Sequence, residues 1–251
     1  HYDIYCFLTF FLFSEKKNIY IFVTLIEIFV GKNKLARFEE NRKLPNVIQP
    51  SREDALGDFE LKGKWRESFF KNNNPIVLEL GCGKGEYSVG MAKAFPDKNF
   101  IGVDIKGNRI WTGAKTAIEN KMDNVAFIRT RIDFIDSCFA DNEVDEIWIT
   151  FPDPQPQKTR TRNRLTNMMF ITRYQKILKK NGIINLKTDN EPFYDYSKEV
   201  VAENKFEVLD STNDLYGDGI ERDEVLTNIK TYYEKLFSDK GFKICYLKFR
   251  V

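Results

Sequence analysis

Histidine is almost absent from this chain: His1 is the only one in 251 residues. That excludes a Ser-His or Cys-His nucleophilic pair and any histidine-rich metal site. Acid–base work then falls to carboxylates, lysines or tyrosines, or the reaction needs little of it. Cysteine is sparse as well. Cys6, Cys82, Cys138 and Cys245 form no Cys-x-x-Cys pair, so neither a zinc site nor a disulfide framework is indicated. They read as small buried thiols in a reducing compartment. The expectation is a cytoplasmic protein without a metal. No excess of one charge exists either, because 39 Lys and Arg against 37 Asp and Glu leave +2. Any nucleic-acid partner must be met by local patches, not by overall charge.

Long apolar runs are also missing. Residues 4–13 and 19–30 are apolar and aromatic, but each is shorter than the roughly 20 residues a spanning helix needs. No basic segment precedes the first run, and no small-residue cleavage site follows the second. No stable membrane association is expected. Composition changes abruptly at Gly31-Lys32-Asn33-Lys34. Residues 1–30 read as foreign to the fold, an over-extended reading frame in preference to an interfacial anchor. Residues 31–74 are polar and mixed in charge, an arm and linker with one short helix near Gly63–Lys71.

From Pro75 to the C-terminus strands and helices alternate. Ile76–Leu80, Asn99–Val103, Val125–Arg129, Glu146–Thr150 and Gly182–Lys187 are short apolar runs bounded by turn residues, as buried parallel strands are. Glu86–Ala94 and Lys106–Asn120 read as helices between them. A helical stripe from Leu165 to Leu178 is expected to stop at Asn181-Gly182. Pro192 suits the first turn of a further helix running to about Asn204. Phe206–Leu209 and Lys243–Phe249 are two later strands. The period predicts an α/β domain over 75–251, a mostly parallel sheet with helices on both faces.

Glu79-Leu80-Gly81-Cys82-Gly83-Lys84-Gly85 joins the first of these strands to the first helix. Its glycines allow a tight turn and close approach to a ligand. A dinucleotide fingerprint would need glycine at position 86, and Glu86 stands there. A carboxylate at a helix N-terminus is a poor host for a diphosphate and a tolerable one for a cationic ligand. Asp104 ends the second strand roughly 20 residues on, where an acid meets ribose hydroxyls. These features indicate a nucleoside cofactor without phosphates, and S-adenosylmethionine fits best. The competing reading is a structural glycine turn in a generic α/β protein.

Ile147-Trp148-Ile149-Thr150 runs straight into Phe151-Pro152-Asp153-Pro154-Gln155-Pro156. Each proline fixes its own φ and pushes the preceding residue toward extended geometry. Asp153 is thus held on a stiff loop at a strand end. Lys158, Arg160, Arg162 and Arg164 come next, without an acidic residue among them. This stretch suits contact with the phosphates of a polyanion, against the ordinary alternative of a solvated loop. Tyr232, Tyr233 and Phe69-Phe70 offer faces for base stacking, although a core or interface role suits each as well. Trp148 belongs to a central strand and reads as core.

Three segments stand in order: Val77–Gly85, Phe151–Pro156 and Leu186–Glu191 (Leu-Lys-Thr-Asp-Asn-Glu). Together with Thr231-Tyr232-Tyr233-Glu234 they resemble the bacterial tRNA (guanine-N7-)-methyltransferase family over residues 31–251. The resemblance implies a class I, Rossmann-like methyltransferase fold with an antiparallel C-terminal strand. It implies methyl transfer from S-adenosylmethionine to N7 of the variable-loop guanine, position 46, of tRNA. It further implies that Glu79, Gly81, Gly83, Gly85 and Asp104 hold the cofactor. Asp153 would be the active-site carboxylate, touching cofactor as well. Asp189 and Thr231–Glu234 would contact the guanosine; an N-cap for the Pro192 helix is the alternative for Asp189. The chain departs from the family at three places. Arg131 stands where an adenine-side Asp is usual, with Asp133 two residues on. Gln157 takes the place of a substrate-binding Lys, with Lys158 beside it. Arg160 replaces a histidine. A class I methyltransferase with another substrate, and a non-catalytic RNA-binding relative, are the competing readings.

Overall fold

Ile76–Leu80 is buried at all positions, and its successive residues feed two different cores. Ile76, Leu78 and Leu80 join one apolar cluster, and Val77 joins the other. That is the period-two alternation of a strand covered on both faces. In this computed structural model the described residues are 34–251, apart from Arg52, Ala55, Leu56 and Asp58. The expectation for residues 1–30 lies outside them.

The strands are β1 Val47–Ile48, β2 Ile76–Leu80, β3 Asn99–Asp104, β4 Val125–Arg129, β5 Val144–Thr150, β6 Leu178–Thr188, β7 Glu207–Thr212 and β8 Cys245–Arg250. Their order in one sheet is β1-β4-β3-β2-β5-β6-β8-β7. Pairing is parallel from β1 across to β6. It turns antiparallel at β8 and β7. The helices are α1 (34–41), then α2 Glu86–Ala94, α3 Gly107–Glu119, α4 Ile135–Cys138, α5 Met168–Ile177, α6 Glu191–Glu203, α7 Glu224–Asn228 and α8 Tyr232–Asp239. Residues of α4, α5 and α6 pack in the first cluster. Residues of α2, α3 and α7 pack in the second, together with Trp148.

The helical stripe stops earlier than expected. Helix α5 ends at Ile177, and Leu178 already pairs with Val144. The Asn-Gly signal marks an irregularity inside β6 instead: Asn181 adopts φ 63°, and the register shifts between Val144 and Glu146.

Residues before Pro75 do more than link. Strand β1 adds an edge to β4, and Phe127 N donates to Asn46 O at 2.8 Å. Asn41 and Asn46 side chains donate to the carbonyls of Gly107 and Ala114 at 2.7 and 3.0 Å. The expected short helix is a π-type turn over Trp65–Phe70. Trp65 is 0% exposed, stacks on Phe139 with centroids 5.3 Å apart, and donates its indole N–H to Cys138 O. Phe70 is buried, and Phe69 lies 5.5 Å from the Trp65 ring. This pair belongs to the core and not to a base-stacking surface.

Trp65→Ala should therefore lower unfolding free energy by about 3–5 kcal/mol. Urea titration checks this; a loss under about 1 kcal/mol would show that the segment packs independently of the sheet.

Candidate active site at the carboxyl edge of the sheet

In the sheet order, β2 has β3 on one side and β5 on the other. The chain leaves β2 toward β3 and only later crosses to β5. Such a switch point opens a crevice beyond the carboxyl ends of the strands. The ends of β2, β3 and β5 deliver Glu79, Asp104 and Thr150 there.

Glu79 is 5% exposed. It accepts hydrogen bonds from Ser88 N at 2.8 Å, Ser88 Oγ at 2.5 Å and Thr150 Oγ1 at 2.5 Å. Burial drives its carboxyl up to about 7, against the downward pull of these three donors, with Asp104 repulsion adding to the rise. The glycine loop runs above it. Gly81, Gly83 and Gly85 have φ of 78°, 56° and 71°, a region that side chains with a Cβ enter only with strain. A Cβ on Gly85 would also strike the Phe127 ring, whereas nothing stands within 4 Å of one on Gly83. The loop is thus closed toward the core and open at Gly83. Asp104 holds it by accepting from Gly83 N at 2.9 Å and from Lys106 N at 2.7 Å.

One cleft is lined by Glu79, Gly81, Gly83, Thr150, Phe151 and, from far along the chain, Thr231. Glu86, expected from the sequence to disfavour a diphosphate, lines it too, and so do Lys84 and Arg109, to which the sequence assigned no role. Glu86 Oε2 accepts from Tyr232 N at 2.9 Å, and Lys84 Nζ lies 4.8 Å over the Tyr232 ring. The glycine loop and the start of α8 are stitched together this way. Ile105, next after Asp104 and 54% exposed, lines a second cavity with Arg129 and Arg131. Arg131 is paired with Asp133 at 3.0 Å.

The acid loop is as stiff as its prolines imply, though by additional means. Phe151 and Gln155 adopt φ of 48° and 46°, each strained by roughly 1 kcal/mol or more. Phe151 N donates to Lys187 O at 2.8 Å, and Gln155 N donates to Asp153 Oδ1 at 3.1 Å. Asp153 itself is exposed. Asp189 is half-buried, and burial raises its carboxyl. It is not the helix cap, since Asn190 accepts from Phe193 N at 2.9 Å in that role.

Gln157, Lys158, Arg160 and Arg162 are exposed on a short 3-10 turn. Arg164 differs from the expectation: its guanidinium lies 4.4 Å over the Tyr196 ring. It braces the loop and is not aligned with the exposed cations. Glu234 also differs. Expected against substrate, it is 0% exposed, 2.8 Å from Lys187 Nζ, and accepts from the Tyr216 hydroxyl. A carboxylate so enclosed has no surface to offer a base. Thr231 Oγ1 caps α8 by accepting from Glu234 N at 3.1 Å. Tyr232 is 48% exposed; the Tyr233 side chain lies outside the described residues.

A switch-point cleft, a left-handed glycine loop and a strand-end acid on a largely parallel sheet define a class I methyltransferase. Solved structures share the fold: an antibiotic-related methyltransferase (TM-score 0.55, 15% identity, 79% of this chain and 98% of that one) and the 16S rRNA methyltransferase KamB (TM-score 0.56, 15% identity, 74% and 91%). A family profile described as "Putative methyltransferase" matches residues 73–247. The tRNA (guanine-N(7)-)-methyltransferase of Christiangramia forsetii is 55% identical over 222 residues, 88% of this chain and 99% of that one. Those of Bacteroides fragilis and Listeria monocytogenes serotype 4a are 50% and 39% identical, over 88% and 78% of this chain and 86% and 93% of theirs. The chain belongs to the tRNA (guanine-N7-)-methyltransferase family. Among the described residues no group of ligands fits a metal, and no helix is long and apolar enough to cross a membrane.

The Glu79 carboxyl has a higher affinity for its proton folded than unfolded. Between pH 4.5 and about 7 the folded state binds more protons, so stability falls as pH rises through that window. The full difference is on the order of 3 kcal/mol. Thermal unfolding from pH 5 to 8 should show wild type losing stability relative to Glu79→Gln. Parallel profiles would mean that Glu79 titrates normally.

Proposed function

We infer that this chain transfers a methyl group from S-adenosylmethionine to N7 of a guanine in tRNA, the variable-loop guanine at position 46. Family membership supports the reaction. The observation that carries the site assignment is the single cleft that joins Glu79, the glycine loop and Thr231 beside the acid loop.

The residues present suit the cofactor. The loop is open at Gly83, and two acids, Glu79 and Asp104, flank it. Acids share the lining with the cations Lys84 and Arg109, which suits a ligand that carries a positive charge, a carboxylate and ribose hydroxyls. When bound, S-adenosylmethionine supplies the methyl group as an electrophile. Glu79 and the loop glycines would hold its methionine end, Asp104 its ribose, and Ile105 with Arg131 its adenine side.

Guanine N7 presents a free lone pair and needs no base, which agrees with a chain almost without histidine. The protein's work is alignment, capable of supplying several kcal/mol, and stabilisation of positive charge arriving on the ring. Asp153, on its strained loop, would take the second task. Asp189, at the carboxyl end of β6, would accept from the guanine N1–H and N2–H₂ edge. Gln157, Lys158, Arg160 and Arg162 would meet tRNA backbone from the exposed turn.

The direct test is methyl transfer from labelled S-adenosylmethionine to unmodified bulk tRNA, mapped by reduction and aniline cleavage. Cleavage in the variable loop is expected; transfer to another position or another acceptor would overturn the assignment. Asp153→Ala should lower turnover by at least about 100-fold while cofactor affinity in calorimetry changes only a few-fold. Unchanged turnover would remove Asp153 from the mechanism. Arg160→Ala with Arg162→Ala should raise the KM for tRNA and flatten its log–log salt dependence by about two.

A further inference from the structure

Lys187 belongs to the third sequence segment, yet the methyl-transfer chemistry described above requires no role of it. Its side chain is 0% exposed. The ammonium lies 2.8 Å from Glu234 Oε1, donates to Leu226 O at 2.8 Å, and stands 5.3 Å over the Tyr87 ring. Burial pulls the amine below the usual lysine range, and the Glu234 carboxylate opposes that pull. Replacing such a pair with apolar side chains is often neutral for stability. Its place therefore calls for an explanation beyond holding the fold together.

That place is specific. Across the ladder Lys187 faces Thr150, which binds Glu79 and lines the cleft. The Lys187 carbonyl receives the Phe151 amide where the acid loop begins. Its Nζ reaches α7 through Leu226 and α8 through Glu234. Helices α7 and α8 have 5 and 8 residues, too short to be stable without tertiary support. Their junction carries Thr231 into the cleft and Tyr232 onto Lys84. Tyr216 adds its hydroxyl to the same Glu234 oxygen.

We propose that Lys187 is a positioning residue for methyl transfer, holding the Thr231–Tyr232 wall against the cleft through its buried ion pair with Glu234. Glu234 then acts through this pair and not on the guanine. The proposal rests on the reading of the cleft as the methyl-transfer site. On this reading the wall meets substrate, while Glu79 and the glycine loop keep anchors of their own in Ser88, Thr150 and Asp104 besides the links from Glu86 and Lys84 to Tyr232. Disrupting the pair should therefore affect tRNA more than cofactor.

The test compares Lys187→Met, Glu234→Leu and the double variant in the full chain. Each single variant should raise the KM for tRNA by about 10-fold or more, because it strands one buried charge, with cofactor affinity in calorimetry within a few-fold. Amide exchange should accelerate in residues 224–239 and stay unchanged in β2 to β5. The double variant removes both charges and should recover roughly 10-fold of tRNA KM over the worse single. A double variant no better than Glu234→Leu alone would overturn the proposal, as would unaltered exchange in residues 224–239 of Lys187→Met. Should a single variant fail to fold, the double still decides, since restored cofactor binding with native exchange supports the pair and absence of both refutes it. If wild type transfers no methyl group to tRNA, the functional reading fails, while the exchange comparison still tests the pair.

Discussion

Parallel strands must end on a common edge, and the place where strand order reverses leaves that edge uncovered. Everything functional in this chain is arranged around that constraint. Strand β2 ends between β3 and β5, so the segments that leave these three strands converge without any long-range design of loops. The glycine loop leaves β2, Asp104 closes β3, and the Phe151–Pro156 loop leaves β5, all at this one edge. The antiparallel β8 lies between β6 and β7 and sets Tyr246 opposite Lys187.

The chemistry fits what the chain lacks. A reaction at a nucleophile that carries its own lone pair needs no histidine, and the proposed roles of recognition and charge stabilisation fall to carboxylates near the sheet edge. Their environments are kept distinct. Glu79 is buried among hydroxyl and amide donors and its carboxyl is raised, whereas Asp153 is exposed and spends one oxygen bracing its own loop. A buried acid that keeps its proton up to about 7 and ionises when a cation comes beside it is suited to a sulfonium ligand. An exposed one on a rigid loop is suited to a base presented from outside.

The sequence made some of this legible and hid the rest for physical reasons. Strands β2 to β5 announced themselves as apolar runs bounded by turns, and the glycine loop and Pro-Asp-Pro loop by local backbone chemistry. Strand β1 has two residues, too few for any periodicity. Helix α5 reads too long in sequence because Leu178 continues its apolar stripe, and only pairing with Val144 shows that the chain has already become a strand. Glu234 and Arg164 carry full charges, and charge reads as exposure until a buried partner or an aromatic face is found. Both partners, Lys187 and Tyr196, lie more than thirty residues away in sequence, beyond the reach of local pattern. Thr231 is marked by family resemblance alone, and its arrival in the cleft depends on contacts that no spacing rule contains.

The departures from the family pattern sort by the same logic. A buried contact is tied to one atom at one distance, so Glu79 with Ser88 and Thr150 has no substitute nearby. An exposed cation that meets phosphate acts as a point charge whose effect is spread over a Debye length of about 8 Å at physiological salt. Lys158 keeps one such cation on the exposed turn beside Gln157. Arg131 is a different case, because an acceptor has become a donor. Its guanidinium binds Asp133 through two nitrogens to one oxygen, at 3.1 and 3.0 Å, and leaves the second carboxylate oxygen outside that pair. A carboxylate therefore stands two residues from position 131, held in place by the residue at that position.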